Sequence, residues 1–151
     1  MQKQSISIIG SGAWGSALAI ALSIKFHNIY LIAKNIDEIK KLKRKHPVLN
    51  ITFNENIIIT DDISKISKTE SVLITAPSTA FSEVLKNITP HISKNTFIAW
   101  GTKGFDIENG CFLSQTFTKI MPNHQACVIS GPTFAKEIAN NHPSAIMVAS
   151  K

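Results

Sequence analysis

Cysteine, aromatic residues and long apolar runs are all scarce in this sequence, and each scarcity excludes something. Two cysteines in 151 residues, Cys111 and Cys127, do not make a disulfide framework. Neither has a partner at metal-ligand spacing, so a reducing cytoplasm is the expected compartment. Aromatic residues make up 7% of the chain, and no nucleic-acid motif accompanies the formal net charge of +6. That speaks against a DNA- or RNA-binding role. The one dense basic run, KKLKRKH from Lys40 to His46, reads as the solvated face of a helix. Its weaker functional reading is electrostatic steering of an anionic cofactor or substrate. The five histidines, at 27, 46, 91, 124 and 142, are scattered, and surface or loop positions are expected for them. No repeat, low-complexity tract or long linker is present. The length suits one domain, and a 44% hydrophobic content can support its core.

One apolar run does stand out, SISIIGSGAWGSALAIALSI, from Ser5 to Ile24. Its length would suit a membrane span or an export signal. Its glycines argue otherwise. Gly10, Gly12 and Gly15 interrupt the run, and each glycine inside a helix costs about 1 kcal/mol relative to alanine. Before them lie β-branched residues, Ile6, Ile8 and Ile9. After them, Trp14 to Ser23 is rich in alanine and leucine. The segment reads as strand, glycine turn, helix, which is the context a G-x-G-x-x-G dinucleotide fingerprint requires.

The same alternation continues along the chain. Strands are predicted at Ile6–Ile9, Asn28–Ala33, Ile57–Thr60, Ser71–Thr75, Thr96–Trp100, Ala126–Ser130 and Ala145–Ala149. Helices are predicted at Trp14–Ser23, Ile36–Lys45, Ala80–Asn87, Leu113–Met121 and Phe134–Asn140, with a short helical turn within Asp61–Ser67. Pro47, Pro90 and Pro122 mark helix ends, and Ser78 is placed to cap a helix after Pro77. Strand–helix alternation of this kind predicts a Rossmann-like, doubly wound, mostly parallel sheet with helices on both faces, an α/β fold.

In such a sheet ligands bind beyond the carboxyl ends of the strands, near the switch in strand order. Gly10 would permit the tight turn, Gly12 the close approach of backbone to a pyrophosphate, and Gly15 close packing of helix on strand. The free N–H groups from Ala13 to Gly15 would face the anion. An NAD site usually adds Asp or Glu at the end of the second strand. Here that strand ends in Ile32-Ala33-Lys34-Asn35, and Asp37 and Glu38 come too late. Lys34 could pair with the 2′-phosphate of NADP, so NADP is favoured over NAD as cofactor.

Two further motifs follow strands. In WGTKGFD, Trp100 to Asp106, Lys103 sits between Gly101 and Gly104. A lysine there can hold a phosphate or polarise a carbonyl. In SGPTFAKEIANNHPSA, Ser130 to Ala145, Gly131-Pro132 ends a strand and a helix is predicted to start near Thr133. The Thr133 hydroxyl can cap that helix or meet a ligand at its N-terminus.

Taken in order, GSGAWGSALA, APSTAFSEVL, GTKGF and SGPTFAKEIA resemble bacterial NAD(P)-dependent sn-glycerol-3-phosphate dehydrogenase. Trp14 within the glycine motif and the Gly-Pro-Thr-Phe-Ala-Lys-Glu run are the most specific pieces. The resemblance spans the chain but only the family's N-terminal, cofactor-binding half. It implies reduction of dihydroxyacetone phosphate to sn-glycerol 3-phosphate, a phospholipid precursor, in the cytoplasm. It implies that Ala13, Trp14, Lys34, Lys103 and Ala135 line the cofactor, and that Lys103, Gly131 and Thr133 reach the substrate. No metal is implied. The family's general acid/base lysine belongs to a later helical domain that would follow Lys151, so residues 1–151 alone are expected to bind dinucleotide with little or no turnover.

The partners implied are a phosphorylated triose, the chain's own C-terminal domain in a longer polypeptide, and a second copy in a homodimer. Nucleic acid and a membrane span are not expected. The sequence departs from the family at VLNITFNENI, Val48 to Ile57, where a Leu-Pro-Gly loop is frequent. Two alternatives remain open at this stage. One is another Rossmann dehydrogenase, such as a ketopantoate reductase or 6-phosphogluconate type. The other is a non-catalytic dinucleotide-binding or redox-sensing module.

Overall fold

The computed structural model describes residues 4–34, 37 and 45–150. In chain order these form β1 (Ser5–Ile9), α1 (Ala13–Leu22), β2 (Asn28–Ile32), β3 (Ile57–Thr60), β4 (Ser71–Ile74), α2 (Ser78–Ile88), β5 (Phe97–Trp100), β6 (Phe105–Asp106), β7 (Cys111–Phe112), α3 (Leu113–Ile120), β8 (Ala126–Ser130), α4 (Ala135–Ala139) and β9 (Met147–Ser150). Short 3-10 helices lie at Ile63–Lys68 and Thr89–His91.

Seven strands share one sheet in the order β3-β2-β1-β4-β5-β8-β9. All neighbours are parallel except β8 and β9, which run antiparallel. Every residue of the central β1 is buried, because both faces of a parallel sheet are covered by its crossovers. On one face Ile6, Ile8, Ile29 and Leu31 pack with α1 residues Ala17 and Leu18 and with Ile138 of α4. On the other, Ile9, Ile74 and Ile98 pack under Phe81, Leu85 and Ile88 of α2. There Trp100 meets Phe81 edge-on at 5.6 Å and stacks on Phe117 of α3 at 5.2 Å. β1 carries two buried polar residues, Ser5 and Ser7; the fully buried Ser7 shares a 3.1 Å hydrogen bond with the Thr69 hydroxyl.

The expected α/β architecture is therefore present, with several local differences. The predicted helix Ile36–Lys45 falls almost wholly outside the described residues, but its last residue is not helical. Lys45 makes an antiparallel bridge to Thr52, closing a loop in which buried His46 accepts the Leu49 N–H at Nδ1, 3.1 Å away. Ser78 is not a cap. Pro77, in an extended conformation, takes the cap position and Ser78 is the first helical residue. The turn predicted within Asp61–Ser67 is the 3-10 helix, which Asp62 caps by accepting the Ser64 N–H at 3.0 Å. Hydrogen bonds from Ser64, with Lys65 in support, bring the Asp62 carboxyl down to about 2. Helix α4 starts at Ala135, one residue after the predicted Phe134, because Phe134 is still extended.

The β6–β7 hairpin is not foreseen from the sequence. Strands of two residues carry no periodicity to read. A single side chain organises it: buried Asp106 accepts Oγ1–H of Thr116 at 2.6 Å, the Asn109 amide N–H at 3.1 Å and the Asn109 side-chain amide at 2.9 Å. These bonds, Thr116 foremost, hold the Asp106 carboxyl below its ordinary value of 3.8. A depressed folded-state pKa contributes stability that is present above the unfolded value and lost as pH falls through the folded one. Asp106→Asn should therefore lower the urea midpoint at pH 6 and converge on the parent protein as pH drops below 3.8. A gap that stays constant down to pH 2.5 or so would contradict this account.

Candidate functional site

The strand order reverses direction at β1, which pairs with β2 on one side and β4 on the other. Ligand crevices open at such switch points. The chain leaves β1 through Gly10, whose φ of +110° suits glycine, and a side chain there would crowd the Ala76 backbone N at 2.9 Å. Gly10 N–H donates to the Ile32 carbonyl at 3.0 Å, and the Thr75 amide N–H donates to the Ile9 carbonyl at 2.8 Å. The Thr75 hydroxyl lies 3.0 Å from both the Ile9 and Gly10 carbonyl oxygens, and the Ser16 hydroxyl donates to the Ser11 carbonyl at 3.0 Å. The turn is thus clamped from β4 and from its own helix.

Gly15 packs so close to this turn that a Cβ would overlap the Gly10 carbonyl oxygen and the Thr75 hydroxyl. Gly12 is the opposite case: a Cβ there would meet nothing within 4 Å. Gly12 is the N-cap of α1 with no side-chain cap bond, so the amides that open the helix keep their donors for something else. Glycine at position 12 has no role in packing, and its bareness leaves a cradle in front of the helix N-terminus.

That cradle is part of a cleft of about 1130 Å³. Of the residues singled out from sequence, Gly10, Gly12, Ala13, Trp14, Gly15, Lys34, Lys103, Thr133 and Ala135 all line it. Gly131 does not; a side chain there would overlap the Ala145 carbonyl oxygen, where the chain approaches β9. Thr133 does not cap α4, since the helix begins beyond it. It is buried beside the cleft, its N–H donating to the Gly131 carbonyl at 2.9 Å. Lys103 is exposed, and its ammonium lies 6.0 Å from the centre of the Trp14 ring. The Thr102 hydroxyl donates to the Ala76 carbonyl at 2.9 Å, which ties the Lys103 loop to the end of β4.

Sequence reasoning missed Thr75 and the wall formed by Ile63, Ala76, Pro77, Ala80 and Val84, with Asp61, Glu83 and Asn87 at the same cleft. For Ala76, Pro77, Ala80, Glu83 and Val84 the signal was present in APSTAFSEVL, but helical periodicity alone does not say which residues of a helix meet a ligand. Cys127 lies buried on β8, where burial pushes its thiol up, and Cys111 is likewise free. Among the described residues no cluster of three or more metal-ligating side chains occurs. Nor is any helix among them long and apolar enough to cross a membrane.

A clamped glycine turn at the switch point of a doubly wound sheet defines a Rossmann-like domain of the dinucleotide-binding class. Residues 5–151 match the family model described as NAD-dependent glycerol-3-phosphate dehydrogenase N-terminus. The chain belongs to that family. It is 54% identical over 147 residues to glycerol-3-phosphate dehydrogenase [NAD(P)+] of Ruthia magnifica subsp. Calyptogena magnifica, covering 97% of this chain and 45% of that protein. With the enzyme of the same description from Vesicomyosocius okutanii subsp. Calyptogena okutanii it shares 51% identity over 145 residues, 96% of this chain and 44% of the relative. The crystal structure of glycerol-3-phosphate dehydrogenase from Coxiella burnetii superimposes with a TM-score of 0.88 at 34% identity, over 98% of this chain and 47% of that one. The chain spans slightly under half the length of these relatives.

Proposed function

We propose that this chain is the cofactor-binding part of an oxidoreductase that transfers a hydride between NAD(P)H and dihydroxyacetone phosphate or sn-glycerol 3-phosphate. The observation that carries the reading is one cleft lined at once by the bare glycine turn, Lys34, Lys103 and Thr133. A dinucleotide fits what is there. The open face of Gly12 leaves room for paired phosphates, and the unpartnered amides of Ala13 to Gly15 supply donors to them. At about 1130 Å³ the cleft is slightly larger than the roughly 300–1,000 Å³ typical of ligand pockets, which leaves room for an extended dinucleotide.

Each residue then has a physical task. Lys34, at the end of β2, would meet the 2′-phosphate of NADP. Trp14 and Ala135 would flank the cofactor. Lys103 would place a positive charge where a substrate phosphate or a developing oxyanion needs one, and the Thr133 hydroxyl would orient the substrate. The bound nicotinamide would supply the hydride. The general acid/base is expected from a helical domain following residue 151, which accords with the share of its relatives that this chain spans. A reducing compartment such as the cytoplasm suits a chain with two unpaired cysteines.

Titration of the chain with NADPH, followed by tryptophan fluorescence, should show saturable binding. An assay for NADPH oxidation with dihydroxyacetone phosphate should be silent for residues 1–151 and active in a polypeptide that adds the helical domain. No saturable NADPH binding by the chain would sink the proposal.

A further inference from the structure

Trp14 combines three observations that cofactor binding by backbone amides does not require. Its indole Nε1 is buried and has no hydrogen-bond partner. That edge of the ring rests against Gly101, where an added Cβ would lie only 2.7 Å from Nε1. The Lys103 ammonium stands over the ring at 6.0 Å from its centroid. Among the described residues no carboxylate forms a salt bridge with Lys103, so the ring is the partner the structure gives this charge.

The three fit together. Trp14 rises from the second position of α1, the helix whose N-terminus forms the phosphate cradle. Gly101 and Lys103 follow β5, two strands away from β1 in the sheet. The indole spans the gap. It can do so because Gly101 offers no side chain, and it accepts an unsatisfied N–H in return, which nature tolerates only where something else is gained. An indole face is the best of the aromatic platforms for a cation.

We propose that Trp14 is a positioning residue for Lys103: its ring, seated on Gly101, holds the Lys103 ammonium at a fixed place relative to the phosphate cradle, ready for the anionic group of the substrate. This rests on the function proposed above, but it concerns how the lysine is held and not what the cleft binds. A smaller apolar side chain at position 14 would leave the cradle intact and let Lys103 sample solvent.

The test reads Lys103 directly. Lysines of the 151-residue chain are reductively dimethylated with 13C, which keeps their charge, and the Lys103 methyl resonance is assigned by its loss in Lys103→Gln. It is expected to be displaced upfield by the indole ring current. Trp14→Leu should return it to the position of the other lysines, and Trp14→Phe should retain part of the displacement. Gly101→Ala, which keeps the tryptophan but dislodges it, should also shift the resonance. Inorganic phosphate serves as the probe of anion binding at Lys103. Its midpoint should rise about two- to fivefold in Trp14→Leu, the value of a partly exposed cation–π contact, and recover in Trp14→Phe.

A Lys103 resonance that is not displaced in the parent chain, or is unchanged in Trp14→Leu and Gly101→Ala, overturns the inference. If Trp14→Leu does not fold, Trp14→Phe and Gly101→Ala decide alone. Failure of NADPH to bind the parent chain, with the Lys103 resonance displaced as expected, would count against the proposed function and leave this inference standing.

Discussion

Gly15→Ala is expected to destabilise the chain by about 2 kcal/mol and to remove measurable NADPH binding. On helix propensity alone the change should help, since alanine exceeds glycine by about 1 kcal/mol within a helix. Packing outweighs that gain. The new methyl would overlap the Gly10 carbonyl oxygen and the Thr75 hydroxyl, and both are backbone or clamped to backbone. Neither can yield without moving the turn or the start of α1. Overpacking of this kind costs roughly 1–3 kcal/mol, occasionally more. The displaced turn would also misdirect the amides that open the helix. Gly12→Ala is the matched comparison. Its methyl would enter open space, so the urea midpoint should move little while NADPH affinity falls. Urea unfolding and fluorescence titration measure both. A Gly15→Ala chain at least as stable as its parent, with cofactor binding retained, would show that close helix–strand packing is not what this glycine serves.

Lys34→Glu is expected to weaken NADPH binding by about a hundredfold while changing NADH binding by less than about threefold. A hydrogen bond to a charged group is worth about 1.5–3 kcal/mol, and each 1.4 kcal/mol is tenfold in affinity. The glutamate also places a negative charge where the 2′-phosphate would lie. It would sit on a cleft that Asp61 and Glu83 already line, which adds to the repulsion. NADH lacks that phosphate, and a glutamate at the end of β2 could accept from its ribose hydroxyls. Parallel titrations with the two cofactors at one ionic strength give the ratio. Equal losses for both would remove Lys34 from the choice of cofactor.

Much of the fold was legible in the residues because the signals were local. The β-branched segment Ile6–Ile9, the three glycines and the alanine-rich stretch beyond them specify strand, turn and helix within twenty residues. The strands Ile57–Thr60 and Ala126–Ser130 are found with the predicted bounds. The misses share a cause. The hairpin of β6 and β7 depends on Asp106 reaching Thr116 on α3, ten residues away, and no periodicity announces such a bond. Ser78 had the chemistry of a cap, but Pro77 already occupied the place. Thr133 was expected at a helix start, yet the extended Phe134 delays the helix and leaves the threonine buried at the edge of the cleft.

By itself, then, the sequence determined an alternating α/β chain, a glycine turn able to admit phosphates, and the want of an acidic residue at the end of β2. These depend on backbone freedom and side-chain type over short spans. Tertiary structure alone decided which distant residues meet. The crossover that sets β4 beside β1 brings Thr75 to the glycine turn, and the place of β5 brings Gly101 and Lys103 to Trp14. Close packing settles such meetings, because a contact needing a missing Cβ at one position and a ring at another is fixed only when the whole sheet has assembled.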